Sequence, residues 1–208
     1  MNPERGETHR IITRKNLAVF ALKAGFLRIR RGVRDFFDRD LQCWPAVQRP
    51  PGLPLAEVVT LLYPEEDPRE RALQLGKVQN LRVGARDLNG VMIEAGKTFS
   101  FWQQLGRPTR SKGYVEGREL RQGCLIPTLA GGLCQLSNSI HQAAKNAGCE
   151  IVERHAHTAR IPHSPFSPGD DATVFWNYVD LRFRVPRSMI LRVRLSSEEL
   201  VVRMEVAS

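Results

Sequence analysis

Four prolines stand within the ten residues PAVQRPPGLP, Pro45 to Pro54, and they forbid a regular helix there while favouring an extended connector. The chain is thereby divided into a short N-terminal arm, residues 1–44, a connector, residues 45–56, and a body, residues 57–208. At 208 residues, with 42% apolar and 25% charged side chains, the chain has ordinary globular composition and enough length for one substantial core plus an appendage.

Charge separates the same parts. Residues 1–34 hold nine basic and two acidic side chains, so they carry +7 of the formal net charge of +9. Any anionic partner therefore meets the arm first. Within it Val19, Leu22, Phe26, Ile29 and Val33 recur at three- and four-residue steps among Lys23, Arg28, Arg30, Arg31 and Arg34, which predicts an amphipathic basic helix. Packing of its apolar stripe on the domain or a partner subunit is the first expectation. A peripheral contact of residues 1–34 with an anionic membrane is the second. Nucleic acid is not expected, because the basic charge is confined to one arm and no helix-turn-helix, zinc-finger or RNP-type pattern occurs. No run reaches the ~20 apolar residues of a spanning helix, and LAVFALKAGFL is followed by RIRRGVR rather than a cleavage site. The expectation is a cytoplasmic protein or one peripheral at the membrane, with association to the cell envelope.

The body reads as α+β: helices first, a central helix starting at a Gly-Gly-x-Cys motif, then a mainly antiparallel sheet. A helix is expected from about Asp67, capped by that residue with Pro68 in the first turn, its face formed by Leu75, Val78 and Leu81, ending before Asn89-Gly90. Short extended pieces follow, VMIEAG, KTFSFW and RELRQGCLIP. The central helix should run from about Cys134 to Ala147 with Gly148 as its stop, and EIVERHA should return as a strand. Farther on, VDLRFRV alternates Val179, Leu181, Phe183 and Val185 inward with Asp180, Arg182 and Arg184 outward. MILRVRL and LVVRMEV bracket a hairpin turn.

Chemistry concentrates in GGLCQLSNSIHQAAKNAGCEIVERHAH, Gly131 to His157. A thiol on the first turn of a helix faces unpaired backbone amides and the positive end of the helix dipole, both of which favour thiolate. Gly131 and Gly132 remove side chains there, leaving room for a carbonyl to approach backbone donors. The following strand offers His155 and His157 as imidazole bases, and alternation points both to one side. A packed core thiol is the commonest fate of such a cysteine, and zinc ligation by Cys134, His141, Cys149, His155 and His157 is a third reading, although no paired ligand spacing supports it. The sequence calls for no metal or other cofactor. Four cysteines, Cys43, Cys124, Cys134 and Cys149, are too few to build a disulfide scaffold.

GKTFSFW (Gly96 to Trp102), KGY (Lys112 to Tyr114), GGLCQLSN, ERHAH (Glu153 to His157), GDDATV (Gly169 to Val174) and NYVDLRF (Asn177 to Phe183) together resemble the VanW family over roughly Asn80 to Phe183. The likeness implies a link to peptidoglycan and a cysteine-dependent, L,D-transpeptidase-like acyl transfer or amidase step on stem peptides. It places the nucleophile at Cys134, favours His157 over His155 as base, and makes Asp171 a candidate to orient the imidazole or bind substrate. Gly131, Gly132, Gln135 and Arg154 become substrate-binding. The implied partner is a peptidoglycan stem peptide or precursor, and a noncatalytic module binding such a precursor is the alternative. Leu133 stands where the family often has a third glycine, so a narrowed approach to the oxyanion site is expected.

Overall fold

A computed structural model describes residues 14–38, 40–63, 71–121, 124–156 and 169–207. The chain order is α1 (Arg14–Phe37), β1 (Pro54–Leu61), α2 (Arg71–Leu88), β2 (Val91–Ile93), β3 (Thr98–Ser100), α3 (Phe101–Leu105), β4 (Glu116–Arg121), β5 (Cys124–Leu129), α4 (Leu133–Asn146), β6 (Glu150–Glu153), β7 (Arg182–Arg184), β8 (Met189–Leu195) and β9 (Glu199–Val206). Its strands pair antiparallel in a sheet of order β1-β9-β8-β2, a sheet of order β3-β7-β6, and the hairpin β4-β5. The α+β class expected from the sequence is the one observed.

Alternation in MILRVRL and LVVRMEV produces the β8-β9 hairpin, in register from Met189 with Val206 to Leu195 with Leu200. Its inner face meets α2 and α4 around a core that includes Leu81, Leu136, Ile140, Met189, Leu191 and Val202. Phe99 and Phe183 stack at 4.8 Å across β3 and β7, tying the second sheet to the same core. One strand was not foreseen: β1 begins at Pro54, inside the proline-rich stretch, and pairs along β9. Proline is tolerated as the first residue of an edge strand, where its missing N–H leaves no ladder bond unmade. The preceding residues lie along the body, with Leu41 bridged to Thr98 and Ala46 to Val91.

Helix α2 ends at Leu88 before Gly90, whose φ of 88° makes the expected turn. The proposed cap at Asp67 and Pro68 lies outside the described residues. Val78 and Leu81 are buried as expected, but Leu75 is exposed. The true inner face runs through Gln74, Gly76, Lys77, Val78, Leu81, Ala85 and Leu88, and Leu75 falls to its side. Two glycines set that face: a Cβ on Gly76 would sit 2.0 Å from the Glu116 carbonyl oxygen, and one on Gly84 would sit 2.8 Å from Leu136 Cδ2.

The largest correction concerns α1 and β7. Asp180 and Arg182, read as outward-facing, are 2% and 3% exposed. The alternation of β7 is real, since Leu181, Phe183 and Val185 are fully buried on the core side, but α1 covers the opposite side. Asp35 of α1 accepts from Arg182 Nη2 at 2.7 Å, and Arg31 pairs with Glu153 and donates to the Tyr178 carbonyl at 3.0 Å. Arg28 Nε donates to the Trp176 carbonyl at 3.0 Å. The helix therefore docks by its charged side. Its apolar stripe points away: Leu22, Phe26, Ile29 and Val33 are 56–75% exposed, so the expected packing of that stripe on the domain does not occur.

Candidate active site

Helix α4 begins immediately after the glycine pair, and Cys134 is its second residue. Gly132, the N-cap, has φ 96°, a left-handed conformation that favours glycine. The turn is held from outside the helix. Asn80 Nδ2 donates to the carbonyls of Gly131 at 2.9 Å and Val115 at 3.1 Å, while Asn80 Oδ1 accepts from Val115 N–H at 2.9 Å. This fully buried asparagine was not singled out from the sequence. Its signal was present, because a short amide side chain one position before Leu81, in a helix whose face Val78 and Leu81 define, needs partners when buried.

The glycines have a packing role. A Cβ on Gly131 would lie 2.3 Å from the Gly117 carbonyl oxygen, and one on Gly132 would lie 2.2 Å from Lys77 Cγ. The space expected to admit a substrate carbonyl at these two positions is filled by the β4 backbone and the stem of Lys77. Leu133 turns inward, 3% exposed, toward Gly84, so it does not crowd the sulfur.

Cys134 is half-buried, and its Sγ lies 3.4 Å from Thr173 Oγ1 and 3.9 Å from the Val174 carbonyl. Both partners belong to the segment Gly169 to Val174, which is strapped along α4. Ser137 Oγ donates to the Ala172 carbonyl at 2.6 Å, and Asn138 Oδ1 accepts from Ala172 N–H. Gln142 Nε2 donates to the Asp170 carbonyl at 2.9 Å, and Lys145 pairs with the Asp170 carboxylate at 2.7 Å. Lys145 first, and then Gln142 through a second bond from Nε2 to Asp170 Oδ2 at 3.1 Å, hold the Asp170 carboxyl below its ordinary range. The motifs GGLCQLSN and GDDATV are thus one structural unit, in which the second delivers Thr173 to the thiol of the first.

Asp171 is 6% exposed in this strap, and its carbonyl accepts from Arg154 Nη1 at 2.8 Å. Arg154 Nη1 also donates to the Gly169 carbonyl at 2.7 Å, so this guanidinium clamps the strap to the end of β6. Gln135 Nε2 donates to Thr60 Oγ1 at 3.0 Å and to the Leu61 carbonyl at 2.8 Å, joining α4 to β1. His155 contributes its backbone to the site, its carbonyl accepting from Thr173 N–H at 2.8 Å. Its ring turns elsewhere, to within 3.3 Å of Glu153 Oε1. His157 lies outside the described residues.

The His155 ring faces a cleft of about 540 Å³ between α1 and the β3-β7-β6 sheet, whose lining includes Arg30, Arg34, Arg182 and Arg184. Cys134 is not part of that lining. Burial raises the Glu153 carboxyl there, but the hydrogen bond and charge of Arg31, with Arg182 and His155, bring it below its ordinary value. Asp180 goes the other way, raised by burial despite Arg182 and Ser100.

His141, two turns beyond Cys134, is 2% exposed, and burial lowers its pKa. Cys149 is buried in the core, and desolvation pushes its thiol up to about 11. Among the described residues no three His, Cys, Asp or Glu side chains gather as metal ligands. Cys43 and Cys149 are free thiols.

Residues 76–206 match the family model described as "VanW like protein", and the chain belongs to the VanW family. It is 38% identical over 105 residues to an uncharacterized protein of Bacillus subtilis, YoaR, an alignment covering 50% of this chain and 34% of the relative. It is 32% identical over 133 residues to the vancomycin B-type resistance protein VanW of Enterococcus faecalis, covering 62% of this chain and 48% of that protein. The chain thus spans half or less of the length of these curated relatives. No solved structure matches it.

Proposed function

We propose that this protein serves the cell wall, and that Cys134 carries out acyl transfer on peptidoglycan stem peptides. The name of the enterococcal relative, a vancomycin resistance protein, supports the wall connection. The observation that carries the chemistry is the placement of a half-buried thiol on the first turn of the 14-residue helix α4, beside a hydroxyl and at the edge of a hydrogen-bonded strap. Backbone N–H groups of a first helical turn have no intrahelical acceptors, so they favour both a thiolate and the oxyanion formed when it attacks a carbonyl.

In this reading the Cys134 sulfur adds to the stem-peptide carbonyl, and the tetrahedral oxyanion collapses with expulsion of the leaving amine. His157 protonates that amine. An acceptor amine, or water, then attacks the thioester, His157 takes its proton, and the thiolate is released with the new amide or acid. Asp171 orients the imidazole, and Thr173 positions the sulfur.

Incubation with muropeptide donors and an amine acceptor, followed by intact-protein mass spectrometry, tests this. An acyl adduct on Cys134 that vanishes in Cys134→Ala is expected, and His157→Ala should slow its formation by about 10²–10⁴. Retention of muropeptides by wild type and Cys134→Ala alike, with neither adduct nor product, would select a noncatalytic module for peptidoglycan or its lipid-linked precursor. The filled space at Gly131 and Gly132 and the diversion of the His155 ring to Glu153 favour that second reading.

A further inference from the structure

Helix α1 presents a continuous apolar stripe that nothing in the described chain covers. Leu22, Phe26, Ile29, Val33, Phe36 and Phe37 are 56–84% exposed. At 3.6 residues per turn they occupy one side of the helix, opposite Arg28, Arg31 and Asp35. Those three are fixed to the body through Trp176, Tyr178, Glu153 and Arg182, so ion pairs hold the apolar side outward. A soluble protein does not ordinarily keep six large apolar side chains in one open row.

The charge around the stripe identifies its occupant. Lys23 and Arg30 are exposed along one flank, with Arg34 beside them reaching back to Glu153 Oε2 at 3.3 Å, while Gly25 and Gly32 lie on the other with open space about them. Residues 1–34 carry nine basic and two acidic side chains. Two copies of such a helix meeting by their stripes would bring cations together without acidic counterparts on that surface. A phospholipid surface bearing negative charge offers both acyl chains for the stripe and headgroups for the cations.

We propose that α1 seats this protein in the plane of an anionic membrane, with Leu22, Phe26, Ile29, Val33, Phe36 and Phe37 inserted at the acyl boundary and Lys23 and Arg30 at the phosphates. The body is then suspended beneath the helix by the Arg31–Glu153 and Asp35–Arg182 pairs. This holds whether or not Cys134 is catalytic.

Cosedimentation of the full chain with vesicles of phosphatidylcholine alone, or of phosphatidylcholine with phosphatidylglycerol, tests it. Binding to the anionic vesicles is expected, at least about tenfold stronger than to the zwitterionic ones and weakened at high salt by screening. The variant Phe26→Ser/Ile29→Ser/Phe36→Ser, altered only at exposed positions, should lose at least about tenfold in partitioning, and Lys23→Gln/Arg30→Gln about threefold or more. Circular dichroism establishes that both variants fold. Equal binding to the two vesicle types, or anionic binding untouched by the triple substitution, would overturn the proposal. So would light scattering that shows a dimer which the triple substitution converts to monomer, since the stripe would then belong to a second copy.

Discussion

Helices α1 and α4 are both amphipathic, and they meet the body in opposite senses. Helix α4 buries Leu136, Ile140, Ala143 and Ala144 between α2 and the larger sheet. Helix α1 turns its apolar stripe to the outside and buries arginine. The difference lies in the surface beneath. Under α4 are apolar side chains of β1, β9 and α2; under α1 are Glu153 and Arg182, and an aliphatic covering would take Arg31 from the first and Asp35 from the second, at a cost of several kcal/mol. A helical stripe specifies which residues share a face, and the receiving surface decides which face is turned inward.

The contrast can be broken most forcefully at α4. Ile140→Ala should lower stability by about 4 kcal/mol in urea denaturation, because a fully buried aliphatic side chain leaves a cavity. Gly131→Ala should follow at about 3 kcal/mol, since its new Cβ meets Gly117 backbone that has nowhere to move. At α1 the sensitive position is an acid: Glu153→Gln should cost about 2 kcal/mol, by removing the charge that Arg31 and Arg182 face. That loss should appear as faster amide exchange in α1 with α4 unchanged.

Acid should imitate it. The folded-state value of Glu153 is depressed, so its contribution is present at neutral pH and is lost as pH falls below its ordinary 4.5. Exchange in α1 measured at pH 6 and again near pH 3.5 should rise before that in α4. At the other extreme, Ile29→Ser on the outer face of α1 should change stability in solution by less than about 0.5 kcal/mol. A loss near that of Ile140→Ala would mean that the stripe is covered after all.

Local pattern made much of the molecule legible. The β8-β9 hairpin and α4 follow from alternation and helical spacing, and Gly148, with φ 77°, ends α4 as its position implied. Strand β1 was hidden by Pro54, whose meaning changes from helix breaker to edge-strand opener only when β9 is beside it. The burial of Asp180 and Arg182 could not be read from β7 alone, because alternation assigns two sides and is silent about a third layer. At the candidate site Cys134, Arg154 and Asp171 lie at α4 and its strap while Gln135 reaches β1, and much of the strapping comes from Ser137, Asn138, Gln142 and Lys145, to which the sequence alone assigns no role. Asn80 belongs to the same class, a fastening residue fifty positions from the turn it holds.

One bond has a further bearing on the thiol. Thr173 touches the Cys134 sulfur through its hydroxyl and the His155 carbonyl through its amide, so a single residue links the start of α4 with the end of β6. A ligand that displaced Thr173 from the sulfur would therefore also loosen the tie between α4 and the chain just after β6.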